Sequence, residues 1–466
     1  MIRLHDVLEG TGGNLHGAAG PDLLFNRVIH DSRLVEPGDL FVALHGEQQD
    51  GHAFIPAALT AGAAGVLVDE GWLQAHQGEA FDYAVIVVPD TLEALQRLAA
   101  FWRNLYDIRL VGITGSIGKS STKEVVAAVA AARFNVLKSV GSYNNEVGLP
   151  ISVLELTPDT EVAVLEMGGA YRFGEITELA EIARPDIGVV TNVTHSHLSR
   201  MGSLEAIART KVELVRALPE DGLAILNADD ERVRAMAAEA RCRVLTYGLT
   251  ETSDLRAADV VGLGSEGIQF TLIRDGERDR VTVPLLGRHS VHMTLVGFAV
   301  GFELGMELPD VLHGFESPDV QLRLILTPAH NGATILDDHY NANPESSNAA
   351  LTLLEDLDAR RRLAVFGDML EMGDFEEEAH RIVGRRAAEV ADGLLTVGDR
   401  AQYIHDEFRQ IRPERLAMHF DTKEDLTEGL RDVMREGDLI LVKGSRGVQM
   451  ETVIEALRLP DPDEVA

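Results

Sequence analysis

The sequence predicts an α/β protein of three domains built around mostly parallel sheets. Three observations carry this. The 466 residues correspond to roughly three domains at about 100–200 residues each. Strand-like and helix-like segments alternate through two long stretches, as βαβ units and parallel sheets require. In the middle of the chain a glycine-rich turn, Thr114 to Thr122, lies between an apolar strand and a helix. That is the setting of a phosphate-binding loop.

The first domain is expected over residues 1–107. Val28-Ile29-His30-Asp31-Ser32-Arg33, then Pro37-Gly38-Asp39, then Leu40 to Leu44 reads as strand, turn, strand. Asp50-Gly51-His52 precedes a small-residue helix, Phe54 to Gly62, and a strand, Gly65 to Val68. The second domain, 108–319, opens on the buried-type strand Ile108 to Thr114. Strands over 161–166, 187–192, 223–227 and 243–247 follow, with helices over 203–217 and 229–240. The pattern becomes β-rich over 253–285 and helical over 290–305. The third domain, 320–466, alternates again, with strands near 332–337, 362–366, 393–397 and 438–442. The tail from Pro460 to Ala466 is expected to fray.

Apolar residues make up 45% and charged residues 25% of the chain, a composition that builds globular cores and argues against disorder. No apolar run approaches the roughly 20 residues of a membrane span, and Asp6 interrupts any signal-peptide core at the start. Cys242 is the only cysteine, which excludes an intramolecular disulfide framework and a Cys-based zinc site. A cytoplasmic protein is the expectation. The net charge of −33 disfavours nucleic acid and anionic lipid as partners. Only six of the basic residues are lysines: Lys119, Lys123, Lys138, Lys211, Lys423 and Lys443. A chain so poor in lysine keeps it where arginine cannot substitute, because only lysine offers a compact amine whose pKa shifts readily.

Within the glycine-rich turn, Gly115, Ser116 and Gly118 let backbone N–H groups converge on phosphate oxygens at a helix N-terminus. Lys119 would reach the terminal phosphates and Ser120 would place its hydroxyl on Mg2+. The strict pattern G-x-x-x-x-G-K-[ST] fails by one residue, because Ile113 stands where it wants glycine. The plainer alternative is a glycine turn that only caps a helix. Glu166 ends one strand and His197 follows another, at the sheet edge where α/β ligands bind. A carboxylate and an imidazole there suit a divalent cation on phosphates, although a lone Glu or His in a loop is commonly just solvated. Lys211, on a helix, has the same bland reading, weakened here by the scarcity of lysine.

Together these residues resemble the Mur ligase family, the ATP-dependent amide ligases of bacterial cell-wall synthesis. The resemblance runs nearly end to end: Asp31-Ser32-Arg33, Pro37 to Phe41 and Asp50-Gly51-His52; Thr114 to Thr122, Asn144 to Pro150, Glu166-Met167-Gly168 and Asn227-Ala228-Asp229; then Asp337 to Pro344, Gly367 to Gly373, Lys443 to Arg446 and Met450-Glu451. The segment Asp337-Asp338-His339-Tyr340-Asn341-Ala342-Asn343-Pro344 is the most diagnostic. It resembles the motif of the members that add D-alanyl-D-alanine to UDP-N-acetylmuramoyl-tripeptide.

The resemblance implies a small α/β UDP-substrate domain, a central P-loop ATPase domain and a C-terminal Rossmann-like domain. It implies ATP and Mg2+ as cofactors and an acyl phosphate attacked by the dipeptide amine. By it, Lys119, Lys211 and His197 are catalytic; Ser120, Glu166, His197 and a carbamylated Lys211 hold metal. Gly115, Ser116, Gly118, Lys119, Ser120, Ser121, Asn144, His289, Arg323 and Asp338 contact nucleotide, and Ser32, Arg33, Asn341, Asn343 and Lys443 contact substrate. The partners implied are these small molecules, with no nucleic acid, no membrane insertion and a monomeric enzyme. Departures exist: the family pattern G-x-H-N-x-x-N reads Gly287-Arg288-His289-Ser290-Val291-His292-Met293 here, so both asparagines are replaced. Two alternatives stay open: a related ligase with another acceptor, and a weakened nucleotide-binding paralogue.

Overall fold

The computed structural model describes residues 1–46, 49–169, 172–194, 201–317, 320 and 324–459. Three large sheets organise the chain. The first has five strands in the order Asn14–His16, Ala84–Val88, Gly65–Asp69, Leu40–Val42, Val28–Ile29. Only the Asn14–His16 edge is antiparallel.

The second sheet has nine strands. Val136–Lys138, Val162–Glu166, Arg109–Thr114, Ile187–Val190, Leu223–Asn227, Arg243–Gly248 and Leu255–Gly262 run parallel in that order. Ile268–Arg274 and Glu277–Val283 then extend it antiparallel. The inner strands are continuous apolar runs because helices cover both faces. Val125, Val126 and Val129 of helix Lys119–Ala131 pack beneath them with Leu295 and Phe298 of helix Val291–Glu303. The third sheet, six strands, places Asp438–Lys443 between Thr334–Asp338 and Arg361–Gly367.

The α/β reading holds, with two local differences. Val28 to Arg33 is strand only over Val28–Ile29, and Ser32–Leu34 is a 3-10 turn capped by Asp31. Residues 229–240 do not form one helix. A short helix, Glu231–Ala235, capped by Asp230, gives way to a 3-10 turn, Met236–Glu239.

The three bodies are joined in two different ways. Leu95, Leu98 and Trp102 of helix Thr91–Arg103 share one apolar core with Leu149, Leu154 and Leu179 below the central sheet. Trp102 Nε1 donates to Leu156 O at 3.1 Å, and Arg103 Nε to Ala183 O at 2.8 Å. The joint to the third body is more polar. Arg288 grips Asp356 with two bonds of 2.9 Å, and Arg446 Nη1 lies 3.4 Å from Ser142 Oγ. Among the described residues no helix is long and apolar enough to cross a membrane.

Candidate active site

The strand Arg109–Thr114 delivers the chain into a tight loop at the parallel sheet's C-terminal edge. Gly115 takes φ +146 there, and a Cβ on it would sit 1.9 Å from Thr191 Oγ1, so no other residue fits. Gly118, at φ +80, faces open space and starts helix Lys119–Ala131. The neighbouring strand end locks the loop. Ser116 N donates to Asn192 O and Ile117 N to Asn192 Oδ1, both at 2.9 Å, while Thr191 Oγ1 donates to Ile117 O at 2.7 Å. The Lys119 ammonium folds over the loop, 2.9 Å from Gly115 O.

Ser120 Oγ donates to Glu166 Oε2 at 2.7 Å, and Asn144 Nδ2 to Glu166 Oε1 at 2.6 Å. Glu166 is only 2% exposed, and these donors are both neutral. A buried carboxylate met by a hydroxyl and an amide has a charge left to balance, which suits a hard divalent cation.

Lys211, at the buried face of helix Leu204–Ala217, donates to Gly169 O at 2.6 Å. Burial, then repulsion from Lys119, brings its amine down to about 7 against the pull of Glu175, Glu213 and Glu166. Glu213 anchors the facing loop by accepting from Gly174 N at 2.8 Å and Thr177 N at 3.2 Å.

The third sheet brings Lys443 to the same space. Its ammonium bonds Asp338 Oδ2 at 2.5 Å and Asn341 O at 2.8 Å. Asn343 caps helix Pro344–Asp356 through Ser346 N. His289 is half-buried near Asp338 and Lys443, and the loss of water around its ring lowers its pKa to about 4.

A cavity of about 1530 Å³ joins these groups. Of the expected site residues, Ser116, Gly118, Lys119, Ser120, Ser121, Asn144, Glu166, Lys211, His289, Asp338, Asn341, Asn343 and Lys443 line it. Gly115 lies just behind the wall. Ser32 and Arg33 are not among the lining residues; Arg33 is turned outward, bonded to Asp31. His197 and Arg323 lie outside the described residues.

Several lining residues were not among the expected site residues: His45, Asn192, His292, Glu371 and Arg446. Asn192 had a readable signal, since it follows the strand beside the phosphate loop. Glu371 and Arg446 lie in motif segments quoted above, His292 is in the first turn of helix Val291–Glu303, and His45 follows strand Leu40–Val42; only the fold brings them together. The remaining lysines also have defined partners: buried Lys123 holds Ser139 O and Gly141 O at 2.5 and 2.8 Å, Lys138 pairs with Glu124, and Lys423 meets Gln449 O.

Family models match three successive stretches. They are described as Mur ligase family, catalytic domain (residues 25–103), Mur ligase middle domain (113–301) and Mur ligase, glutamate ligase domain (322–446). A UDP-N-acetylmuramoyl-tripeptide–D-alanyl-D-alanine ligase of Bacillus subtilis is 35% identical, covering 97% of both chains. Its Escherichia coli counterpart is 34% identical over 98% of each. A crystal structure of MurF from Acinetobacter baumannii superposes with a TM-score of 0.86 at 27% identity, covering 97% of this chain and 98% of that one. MurF from Thermotoga maritima in complex with ADP gives 0.78 at 28% identity, covering 93% and 97%. Identity at this level over nearly the whole length makes the chain a member of the Mur ligase family.

Proposed function

We propose that the protein joins D-alanyl-D-alanine to UDP-N-acetylmuramoyl-tripeptide at the expense of ATP, a step in making peptidoglycan precursor. One observation carries the reading: the Lys119–Ser120–Glu166 group of the central sheet faces Asp338, Asn341 and Lys443 of the third sheet across one cavity. The chain's 33–35% identity to ligases of that name supports it. Residues 1–107, 108–319 and 320–466 would serve as the UDP-substrate, ATP and closing units.

Two anions must meet for this chemistry, a peptide carboxylate and the γ-phosphate. Fixed positive groups must offset their repulsion. Lys119 and the Gly115–Ser120 amides would hold the β- and γ-phosphates. Ser120, Glu166 and Lys211 fit Mg2+, with His197 expected to complete the set; bound there, it would neutralise developing phosphate charge. An ammonium at Lys211 would repel a cation. Its lowered pKa leaves much of it as free amine near neutrality, the form that adds CO2 to become an anionic carbamate. The third body would close over the acyl phosphate and exclude water.

Phosphate release should require UDP-tripeptide, D-alanyl-D-alanine and ATP together. No release with all three and Mg2+ sinks the reading, and a preference for single amino acids over the dipeptide redirects it to another acceptor.

A further inference from the structure

The first body holds a polar cluster that the reaction leaves unused, built on the Asp50-Gly51-His52 motif. Strand Leu40–Val42 leads to His45, the 3-10 turn Gly51–Phe54 carries His52, and strand Gly65–Asp69 ends on Asp69. Parallel pairing of the two strands, with Val42 opposite Leu67, brings these residues together at their C-terminal ends. An imidazole nitrogen from each histidine and a carboxylate oxygen of Asp69 all lie within 4.8 Å of one another.

Two of the three ligands are aimed by bonds made on their far sides. His52 is buried. Its Nδ1 lies 2.7 Å from Asp50 Oδ1, and its Nε2 accepts from Asp69 N at 3.2 Å. A backbone N–H can only donate, so the ring proton sits on Nδ1 and Nε2 carries the lone pair. A carboxylate behind an imidazole in this way prepares the histidine to hold a metal ion. Asp69 Oδ1 accepts from Trp72 N at 2.7 Å, capping helix Glu70–Ala75, which leaves Oδ2 for the two rings. Oδ2 lies 2.6 Å from His45 Nε2 and 3.7 Å from His52 Nε2.

A tetrahedral ion with bonds of about 2.0–2.1 Å needs its ligands roughly 3.4 Å apart. The His52–Asp69 spacing is already close to that. His45 has 61% of its side chain exposed, so it can swing outward by the fraction of an ångström that remains. The ion would take the His52 lone pair in place of the long bond from Asp69 N. Two imidazoles with one carboxylate also decide the class of ion. Mg2+ wants oxygen ligands in an octahedron, whereas Zn2+ and its neighbours accept nitrogen and oxygen together. Asp50 and Asp69 supply the balancing negative charge.

We propose that His45, His52 and Asp69 bind Zn2+ or a similar borderline divalent ion, with Asp50 as the positioning residue for His52. The site belongs to the first body, whereas Glu166 and Lys211 belong to the second, and it stands whether or not the ligase reading does. Three protein ligands leave a further position for water. His45 also lines the cavity, so the ion would border it.

The test uses the full chain without a histidine tag, stripped with chelator and held in millimolar Mg2+ so that Mg2+ competes at Glu166. Co2+ is the probe, because its tetrahedral complexes absorb strongly in the visible. Wild type should bind one tetrahedral Co2+ more than His45→Ala or Asp69→Asn, and Zn2+ should displace it. Asp50→Asn should weaken that binding by about 10–100-fold. Melting in EDTA reports whether each variant folds, and added Zn2+ should raise the melting temperature of the wild type but not of His45→Ala. Co2+ binding equal in the wild type and both ligand variants, or absent from all three, would mean a hydrogen-bonded cluster only and overturn the proposal.

Discussion

Lys211 and His289 show what burial does to a single ionisable group. Lys211→Ala should lower kcat by two orders of magnitude or more. Millimolar formate or acetate should restore part of the loss by supplying the missing anion; full activity in the alanine variant would refute a catalytic lysine. His289 makes a pH prediction. Its folded pKa of about 4 lies below the ordinary 6.5, so the unfolded chain takes the proton first. Its stability contribution is present above pH 6.5 and is lost as the pH falls toward 4. Calorimetry should show the wild type losing more stability across that window than His289→Gln. Neither shift was legible in the sequence, where Lys211 stood out by rarity and by the family resemblance. Burial depends on what the fold stacks around a residue, and no spacing rule reports it.

At the scale of elements, the phosphate loop is the most constrained piece. Its glycines, lysine and serine were readable because each meets a local demand: positive φ, a phosphate-length amine, a hydroxyl at a helix start. What holds the loop was not readable, since Thr191 and Asn192 arrive from a strand more than 70 residues later. Gly115→Ala tests that support. Its methyl would collide with Thr191 Oγ1 at 1.9 Å, so nucleotide binding should disappear and the melting temperature should drop. The third-sheet motif behaved similarly. Asp338 and Lys443 were both expected at the site, but their 2.5 Å pairing needs two parallel strands separated by 105 positions in sequence. Arg33 is a counter-example, since its motif is present while its side chain turns outward.

For the whole molecule, the unequal joints matter most. A shared apolar core fastens the first body to the second, whereas Arg288 and Asp356 help fasten the third through a half-exposed ion pair. Such a pair contributes under about 1 kcal/mol, enough to bias an orientation without freezing it. Arg288→Ala should leave the melting temperature nearly unchanged while small-angle scattering records a larger radius of gyration without nucleotide; an unchanged radius would deny the pair that role. The net charge of −33 acts at the same scale through self-repulsion, which salt screens. Melting temperature should therefore rise with KCl, and a steady fall would count against adaptation to a salty interior. The lysines, finally, give the protein an unusual chemical profile. None of the six is fully exposed: Lys123, Lys211 and Lys443 are buried and the rest half-covered. An acylating reagent therefore meets few lysine amines, and each of them is at least half covered. Lys119, half-covered at the cavity wall, becomes a natural reporter, so protection from labelling would read out nucleotide occupancy without any engineered tag.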